Sequence, residues 1–498
     1  MTSTFANYLL WGAVVAYMLL ILFFVIRGAR KTKSISDYAL GSVAFSPVAV
    51  GLALAASMTS AATFIINPGF IAYYGVSGFI AHGLVISTAA VISLIIFTKG
   101  FRKIGTSINA QTMAQWIGLR YQNKAYSIFF GFVSLLLITF IVLICVGLAK
   151  LLAASLGLNE VSVLIAVVVF VFGYMMFGGA NSMVYTNMIQ ASLMIIVAII
   201  LLTSGREHFA EGISGFLSKL SAIDPVLAQP LNADSPLFRD YFEVIFCQII
   251  VGVAIVCQPH IITKSLLLKN DKQVNTYLTV GVIVEMLFFF VVFTGLYARI
   301  EFPDLTVGGT ALNLDGVLSA YVVEEFTIGV GIIVLLGLIS AGLSTLEGLI
   351  QSLSSSITQD VMRPLFGEPK MNPIMLNKLV ITALAIVSFG FSYQQLLHPN
   401  LSVGIFAQNG VYAYFSAAFV PVLFGTFLKN VPYWIPFSSS IAAIVIHFGT
   451  YYGRISSYMQ EPVRNPAIAA TYAILGSVII GVVLYVFSKY RQPKLSVS

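Results

Sequence analysis

The chain has 498 residues, of which 58% are hydrophobic and 9% are charged, with a formal net charge of +7. A soluble domain carries roughly 25% charged residues, so this composition excludes an ordinary soluble protein and indicates a chain embedded in lipid. The Lys and Arg residues stand in short clusters between apolar runs and form no continuous basic face, which argues against a nucleic-acid partner. We therefore predict an all-α polytopic membrane protein.

Apolar runs separated by turn residues and charges predict thirteen membrane-spanning helices, because a helix needs about 20 mostly apolar residues to cross a bilayer. In chain order the predicted spans cover about 7–27, 46–70, 76–98, 126–150, 159–177, 182–203, 241–263, 275–297, 327–350, 374–395, 401–427, 432–451 and 467–488. The first run has no basic residue before it and no small-residue cleavage site after it, so we expect a retained span and not a cleaved signal peptide.

The distribution of basic residues predicts the orientation. An odd number of spans puts the two termini on opposite sides of the membrane. With the N-terminus outside, most of the 26 Lys and Arg residues fall on the cytoplasmic side, as the positive-inside rule requires. We therefore expect an integral protein of the bacterial inner (plasma) membrane, with its N-terminus outside and its C-terminus in the cytoplasm.

The chain, residues 1–498, is expected to form one transporter domain that contains an inverted repeat. Spans two to six and seven to eleven make two sets of five, and an odd number makes the second set enter the membrane from the opposite side. The expected units are an extra N-terminal helix at 7–27, a first repeat at 46–203, a second repeat at 241–427 and two C-terminal helices at 432–488.

Two predicted spans contain residues suited to breaking a helix. Span two carries Ser and Thr between Ala56 and Thr63, followed by Asn67-Pro68-Gly69, and span seven ends in Cys257-Gln258-Pro259-His260. In transporters built from inverted repeats, the first helix of each repeat is broken at mid-membrane, and its freed carbonyls bind a cation. Ser, Thr and Pro also occur in membrane helices as packing residues, so composition alone leaves both interpretations open.

At this point the chain resembles the sodium:solute symporter family, and within it the members that carry pantothenate, monocarboxylates or proline. The residues that carry the resemblance are Asp37-Tyr38, Phe177-Gly178-Gly179-Ala180, Gln258-Pro259-His260-Ile261-Ile262-Thr263-Lys264, Ala341-Gly342-Leu343-Ser344-Thr345 and Ser354-Ser355-Ser356-Ile357-Thr358-Gln359-Asp360. The resemblance implies a LeuT-like inverted repeat of 5+5 helices, Na⁺ as the coupling ion, and uptake of a small organic solute by alternating access.

The resemblance also implies a sodium site. Its ligands would be the carbonyls of Ala56, Thr59 and Ala341 and the hydroxyls of Ser344 and Thr345. Independently, Ala341, Ser344, Thr345 and Gly348 recur at i, i+3, i+4 and i+7, so small and hydroxyl residues form one stripe on a helix. The alternative interpretation of this stripe is a packing seam against a neighbouring helix.

For the solute, the resemblance points to His82 and Gln408, with Ser60 and Thr63 completing the set. Polar groups at this depth in a membrane usually face the interior, although a lone membrane histidine is more often a satisfied interhelical hydrogen-bonder. The stretch 251–256 is wholly apolar, which favours a small solute over a sugar. We expect a carboxylate on that solute, received by the backbone amides of the broken helix.

The sequence departs from the family at a second cation site. Members with a second sodium site carry an Asp directly after a Thr in the sixth span, whereas this chain has Thr186-Asn187 and places Glu347 just beyond the sodium residues. An ionisable group at that depth costs at least a few kcal/mol unless it is partnered. Two interpretations stay open: a protonated Glu347 bonded to Asn187, or a second cation or proton site that would link transport to pH.

Lys150 and His447 are two polar residues with structural interpretations. We expect Lys150 to extend to water from the end of span four and His447 to form an interhelical hydrogen bond.

No phosphate-binding loop, paired catalytic carboxylates or Ser-His-Asp spacing is present, so we predict neither an enzyme nor an ATP-driven pump. A solute sensor, a passive channel and a symporter for a neutral sugar are the rival functions; the absence of a soluble domain and the broken-helix repeat argue against the first two.

Overall fold

The computed structural model describes residues 4–42, 44–367, 371–398 and 402–491. In this part of the chain the only strands are Thr306–Val307 and Thr310–Ala311, which pair antiparallel, and everything else that is regular is helical. The all-α prediction is therefore confirmed.

Within the described residues, thirteen long helical elements follow one another, two of them in halves. They are α1 (Thr4–Ala29), α2a (Pro47–Met58), α2b (Ala62–Tyr74), α3 (Val76–Ser107), α4 (Lys124–Leu156), α5 (Glu160–Met175), α6 (Ala180–Ser204), α7a (Phe242–Ile255), α7b (Pro259–Leu267), α8 (Asp271–Glu301), α9 (Ile328–Phe366), α10 (Pro373–Leu397), α11 (Val403–Phe427), α12 (Trp434–Gly453) and α13 (Pro466–Arg491). The shorter helices are Ile35–Leu40, Met113–Arg120, Gly212–Ile223 and Val317–Glu325, with 3₁₀ turns at Arg206–Phe209, Pro225–Ala228, Leu314–Gly316 and Ser457–Met459. Each predicted span overlaps one long element; the predicted start of the eleventh, residue 401, lies outside the described residues.

The number of membrane crossings stays a prediction. Among the described residues, nine helices are long and apolar enough to span a bilayer, or up to 11 if each bent pair is one span. Helix α5, with 16 residues, is shorter than a full span, and α12 is not among the nine. The structure thus confirms a membrane protein of many helices without confirming the count of thirteen.

Both predicted helix breaks are present. The two halves of α2 meet at 52° and those of α7 at 56°. Thr59, which ends α2a, has extended backbone angles (φ −92°, ψ 111°), and so has Gln258 (φ −81°, ψ 137°), which precedes Pro259. Proline disfavours helical angles in the residue before it and supplies no N–H, so the second break follows directly from the sequence.

The C-terminal half of the second span, α2b, packs backbone against backbone. A Cβ atom added at Gly69 would lie 1.9 Å from the Leu314 carbonyl oxygen, and one at Gly295 in α8 would lie 2.1 Å from the Pro68 carbonyl oxygen. The Tyr73 hydroxyl also donates to the Leu312 carbonyl at 2.5 Å. Helix α2b, segment 312–316 and the end of α8 are therefore in direct main-chain contact.

Lys150 does not extend to water as predicted. Its side chain is buried, and its Nζ lies 3.3 Å from an Asp315 carboxylate oxygen. The prediction was wrong because it considered only the helix that carries Lys150, whereas Asp315 comes from the segment that covers the end of that helix. His447 behaves as predicted, since its Nε2 lies 3.0 Å from the Asn409 side-chain oxygen.

Candidate ion and solute site

The predicted sodium residues meet where α9 crosses α2a. The Ser344 hydroxyl donates to the Ala56 carbonyl at 2.6 Å and lies 3.2 Å from the Ala341 carbonyl. The Thr345 hydroxyl lies 3.3 Å from the Ala341 carbonyl and 3.5 Å from the Ser57 carbonyl. All of these residues are fully buried, so four of the five predicted ligands gather their oxygens in one place.

The fifth predicted ligand, Thr59, lies at the break itself. Its hydroxyl donates to the Ala55 carbonyl at 2.5 Å, so the side chain is held within α2a. Because the residue is extended, its carbonyl leaves the helical direction, which is what a carbonyl ligand at a broken helix requires. Hard cations such as Na⁺ are bound by oxygens of this kind, so the donor set fits the ion.

All four predicted solute residues line one cavity. Ser60, Thr63, His82 and Gln408 face a space of about 90 Å³ next to both helix breaks. Asn67 and Gln258, which the sequence analysis did not assign to the solute, line it as well. None of the described lining residues is Lys or Arg, so any anionic group here would meet neutral partners.

His82 enters this cavity with an unsatisfied ring. The side chain is buried, and within the described residues its Nδ1 atom has no hydrogen-bond partner. The ring packs edge-on against Phe238, with centroids 5.2 Å apart, and against Phe70 at 6.1 Å. His82 is therefore not a satisfied interhelical hydrogen-bonder at that atom; the Nδ1 of His447 is unpaired among the described residues too, but His447 is bonded through its Nε2.

The backbone amides at the start of α2b are already occupied. The Ser60 hydroxyl accepts from the Ala62 amide at 3.0 Å, and the Ser60 carbonyl accepts from the Thr63 and Phe64 amides at 3.0 and 3.2 Å. The expectation that freed amides of this helix receive a carboxylate does not hold for these three. Polar recognition in the cavity consequently depends on side chains.

Gln258 supplies one such side chain at the second break. Its Nε2 donates to the Ile255 carbonyl at 3.1 Å, while its Oε1 is buried without a hydrogen-bond partner in the part of the chain that the structure describes. The sequence analysis noted this residue in the motif Gln-Pro-His, but interpreted it only as part of a helix break because it precedes a proline. Its place in the lining of the cavity was therefore missed.

Comparison with known proteins identifies the family. The model of the sodium:solute symporter family matches residues 38–433. The chain belongs to the sodium:solute symporter family.

The symporter is 27% identical over 407 residues to the sodium/pantothenate symporter of Escherichia coli (strain K12), covering 78% of this chain and 80% of that protein. It is 25% identical over 474 residues to the high-affinity proline transporter PutP of Bacillus subtilis (strain 168), covering 91% of this chain and 93% of that protein. A solved structure of a Na⁺-coupled sialic acid symporter in a substrate-bound, outward-open state superposes with a TM-score of 0.79 at 17% identity, over 98% of both chains.

These likenesses confirm three predictions. The symporter has the LeuT-like fold. Its activity is sodium-coupled uptake of a solute, with Na⁺ as the coupling ion. It is an integral membrane protein of a transporter family whose transported partners are a small molecule and sodium.

One turn beyond the predicted sodium residues, Glu347 is buried among donors. Tyr174 and Thr186 donate their hydroxyl protons to its carboxylate at 2.7 and 2.6 Å, and the Gln190 amide donates at 3.1 Å. An ionised carboxylate only accepts hydrogen bonds, so this surrounding suits the charged form better than the protonated form that we considered.

The Asn187 amide links this carboxylate to Lys264. With its oxygen and nitrogen oriented as the neighbouring donors and acceptors require, the Asn187 nitrogen donates to Glu347 Oε2 at 3.0 Å and its oxygen accepts from Lys264 Nζ at 3.2 Å. The Ser57 hydroxyl lies 3.1 Å from the same oxygen and 3.3 Å from the Ser344 carbonyl. The structure thus brings the predicted pair Asn187 and Glu347 together. The buried Lys264 lies beside this pair; the sequence analysis noted it only as part of the family motif.

Proposed function

We propose that the symporter takes up a small solute bearing a carboxylate, and that this solute binds in the cavity beside Ser60, Thr63, His82 and Gln408. The observation that carries the proposal is the convergence of these four residues on one cavity at the two helix breaks. Polar groups that lie unpaired in a mostly apolar pocket are the usual means of orienting a small ligand.

The names of the relatives support the choice of solute class. One is a pantothenate symporter and another a proline transporter, and both solutes carry a carboxylate on a small, partly apolar body. The Nδ1 atom of His82 lacks a hydrogen-bond partner among the described residues, which leaves it available to such a group. Gln408 also faces the cavity and supplies amide donors, and Gln258 faces it with an Oε1 atom that can accept a hydrogen bond.

We further propose that one sodium ion binds between α2a and α9 through the carbonyls of Ala56, Thr59 and Ala341 and the hydroxyls of Ser344 and Thr345. The contacts across this interface support four of the five ligands.

Because the second half of the repeat pair begins at the broken α7, we also propose repeats at 46–203 and 241–427, with the N-terminus outside and the C-terminus in the cytoplasm.

For the second cation site of Asn187 and Glu347, we propose that the cation is the ammonium group of Lys264. Lys264 is 3% exposed and reaches Glu347 through a single amide. A buried carboxylate needs a compensating charge, and a tethered lysine supplies it without a second ion from solution. Coupling would then rest on one sodium ion.

The test of the function is uptake by the purified protein in liposomes. With an inward sodium gradient, labelled pantothenate, proline and short monocarboxylates are supplied one at a time, and at least one should accumulate. The same solute should raise the thermal stability of the detergent-solubilised protein more in sodium than in potassium. Accumulation of a neutral sugar, with no carboxylate transported, would contradict the proposed solute class.

A further inference from the structure

A histidine and two glutamates converge where α6 and α8 end. None of the three belongs to the proposed sodium or solute site. Glu207 and His208 lie in the 3₁₀ turn that follows α6, and Glu301 is the last residue of α8. One ligand-type atom from each of the three side chains lies within 4.8 Å of the others. The predicted orientation puts this cluster on the outer face of the membrane.

The distances match those around a small divalent ion. The Nε2 atom of His208 lies 3.4 Å from an oxygen of Glu301 and 3.7 Å from an oxygen of Glu207. Ligands of tetrahedral zinc stand about 2.0–2.2 Å from the metal, which separates neighbouring ligand atoms by about 3.3–3.6 Å. The three side chains therefore need little movement to share one ion.

His208 points into the cluster without a hydrogen bond. The residue is 6% exposed, and its Nε2 has no hydrogen-bond partner in the described ranges of the chain. Leaving a buried ring nitrogen unpaired is costly, and a metal ion is a partner that would remove the cost. The two carboxylates are partly exposed, at 57% for Glu207 and 42% for Glu301, so an ion can enter from water.

The surroundings are aromatic and negative. Phe209 stacks on Phe216 with centroids 4.4 Å apart, and the Tyr297 hydroxyl donates to the Leu202 carbonyl at 3.1 Å, so the two helix ends lie in contact. A third carboxylate lies close by: burial, together with the charges of Glu301 and Glu207, raises the pKa of the Glu325 carboxyl. A cation bound here would relieve that repulsion.

We propose that Glu207, His208 and Glu301 form a regulatory site for a divalent transition-metal ion of the Zn²⁺ class, which cross-links the ends of α6 and α8. One nitrogen and two carboxylate oxygens leave a fourth position for water, as in open zinc sites. Alternating access requires helices to move relative to one another, so an ion that joins these two helix ends slows the transport cycle.

The test uses the full-length protein with a tag that contains no histidine. Zn²⁺ binding is measured by titration calorimetry and by thermal shift, for the wild type and for His208→Ala, Glu301→Gln and His398→Ala. His398 is an exposed histidine near the end of α10 and serves as the matched control. We expect the dissociation constant to rise at least tenfold for the first two variants and to stay unchanged for the third.

A second measurement addresses regulation. Zn²⁺ added outside proteoliposomes should slow uptake by the wild type and by His398→Ala, and should have no effect at the same concentration on Glu301→Gln, which keeps the histidine and its packing. If the wild type binds Zn²⁺ no more tightly than both His208→Ala and Glu301→Gln, the site does not exist. Tight binding without any change in uptake would overturn its regulatory role.

Discussion

Lys150 and Asp315 form a buried ion pair, in which both side chains are at most 9% exposed. In every other ion pair between described residues, at least one side chain is more exposed than that. Asp315 also accepts from the Ser402 hydroxyl at 2.6 Å and from the Val403 amide at 3.1 Å. The carboxylate thus joins α4, the segment before Val317–Glu325 and the start of α11. Three parts of the chain are fixed by one side chain.

We predict that Asp315→Asn destabilises the protein strongly, because it leaves the buried Lys150 charge without a counter-charge. Breaking a buried pair costs about 3–5 kcal/mol. The readout is the midpoint of thermal unfolding in detergent. Asp304→Asn, at an exposed carboxylate, is the control, and Lys150→Met combined with Asp315→Asn should recover part of the loss. Equal midpoints for Asp315→Asn and Asp304→Asn would contradict the prediction.

The proposed sodium site predicts a loss of ion affinity in Ser344→Ala/Thr345→Ala. This double variant removes two hydroxyl ligands while keeping helix propensity. The sodium concentration for half-maximal uptake should rise by more than about tenfold, which corresponds to roughly 1.4 kcal/mol or more. Ser352→Ala is the matched control, because that hydroxyl bonds within α9 to the Gly348 carbonyl at 2.8 Å. Unchanged sodium dependence in the correctly inserted double variant would exclude the assignment.

The cavity predicts that His82→Ala, Gln258→Ala and Gln408→Ala each weaken the apparent affinity for the solute by several fold. Each removes a polar side chain from the lining, and a lost neutral hydrogen bond costs about 0.5–1.5 kcal/mol. Half-saturation of uptake at fixed, saturating sodium measures the effect. Ser87→Ala, whose hydroxyl bonds back to the Gly83 carbonyl at 2.5 Å, should behave as wild type. The pocket lies elsewhere if all three variants keep wild-type affinity.

The link between Glu347 and Lys264 predicts energetic coupling. Glu347→Gln or Lys264→Met alone leaves one buried charge uncompensated, so each should destabilise the protein, and the double variant should lose less than the sum of the two. Coupling energies of about 0.5–3 kcal/mol are typical of residues in one network. Lys269→Met, at an exposed lysine, is the control.

The same variants report on ion stoichiometry. Lys264→Met removes the tethered cation but keeps Glu347 and Asn187, so we expect the Hill coefficient for sodium to rise from about one towards two. Glu347→Gln should not show this rise. A Hill coefficient already near two in the wild type, or the same value in all variants, would mean that Lys264 does not replace a second ion.

The sequence predicted the helical class and both breaks because each depends on local properties: runs of apolar residues, and a proline whose effect reaches one residue back. It also placed Ser60, Thr63, His82 and Gln408 in what proved to be one cavity, through the resemblance to a family. It failed for Lys150 because the partner is 165 residues away. The role of Lys264 was missed for a related reason, since an amide on α6 stands between it and the carboxylate on α9, and no spacing within one helix reports such a bridge.

The glycine contacts of α2b limit how this half-helix can move relative to its neighbours. With no side-chain layer between Gly69 and Leu314, or between Gly295 and Pro68, these backbones cannot slide or rotate past one another without collision. We expect helix α2b, segment 312–316 and the C-terminal end of α8 to move as one body, with the extended residue Thr59 as the pivot. Helix α2b is about 20 Å long over its residues 62–74. A small change of angle at Thr59 would therefore displace the far end of the helix by several ångströms.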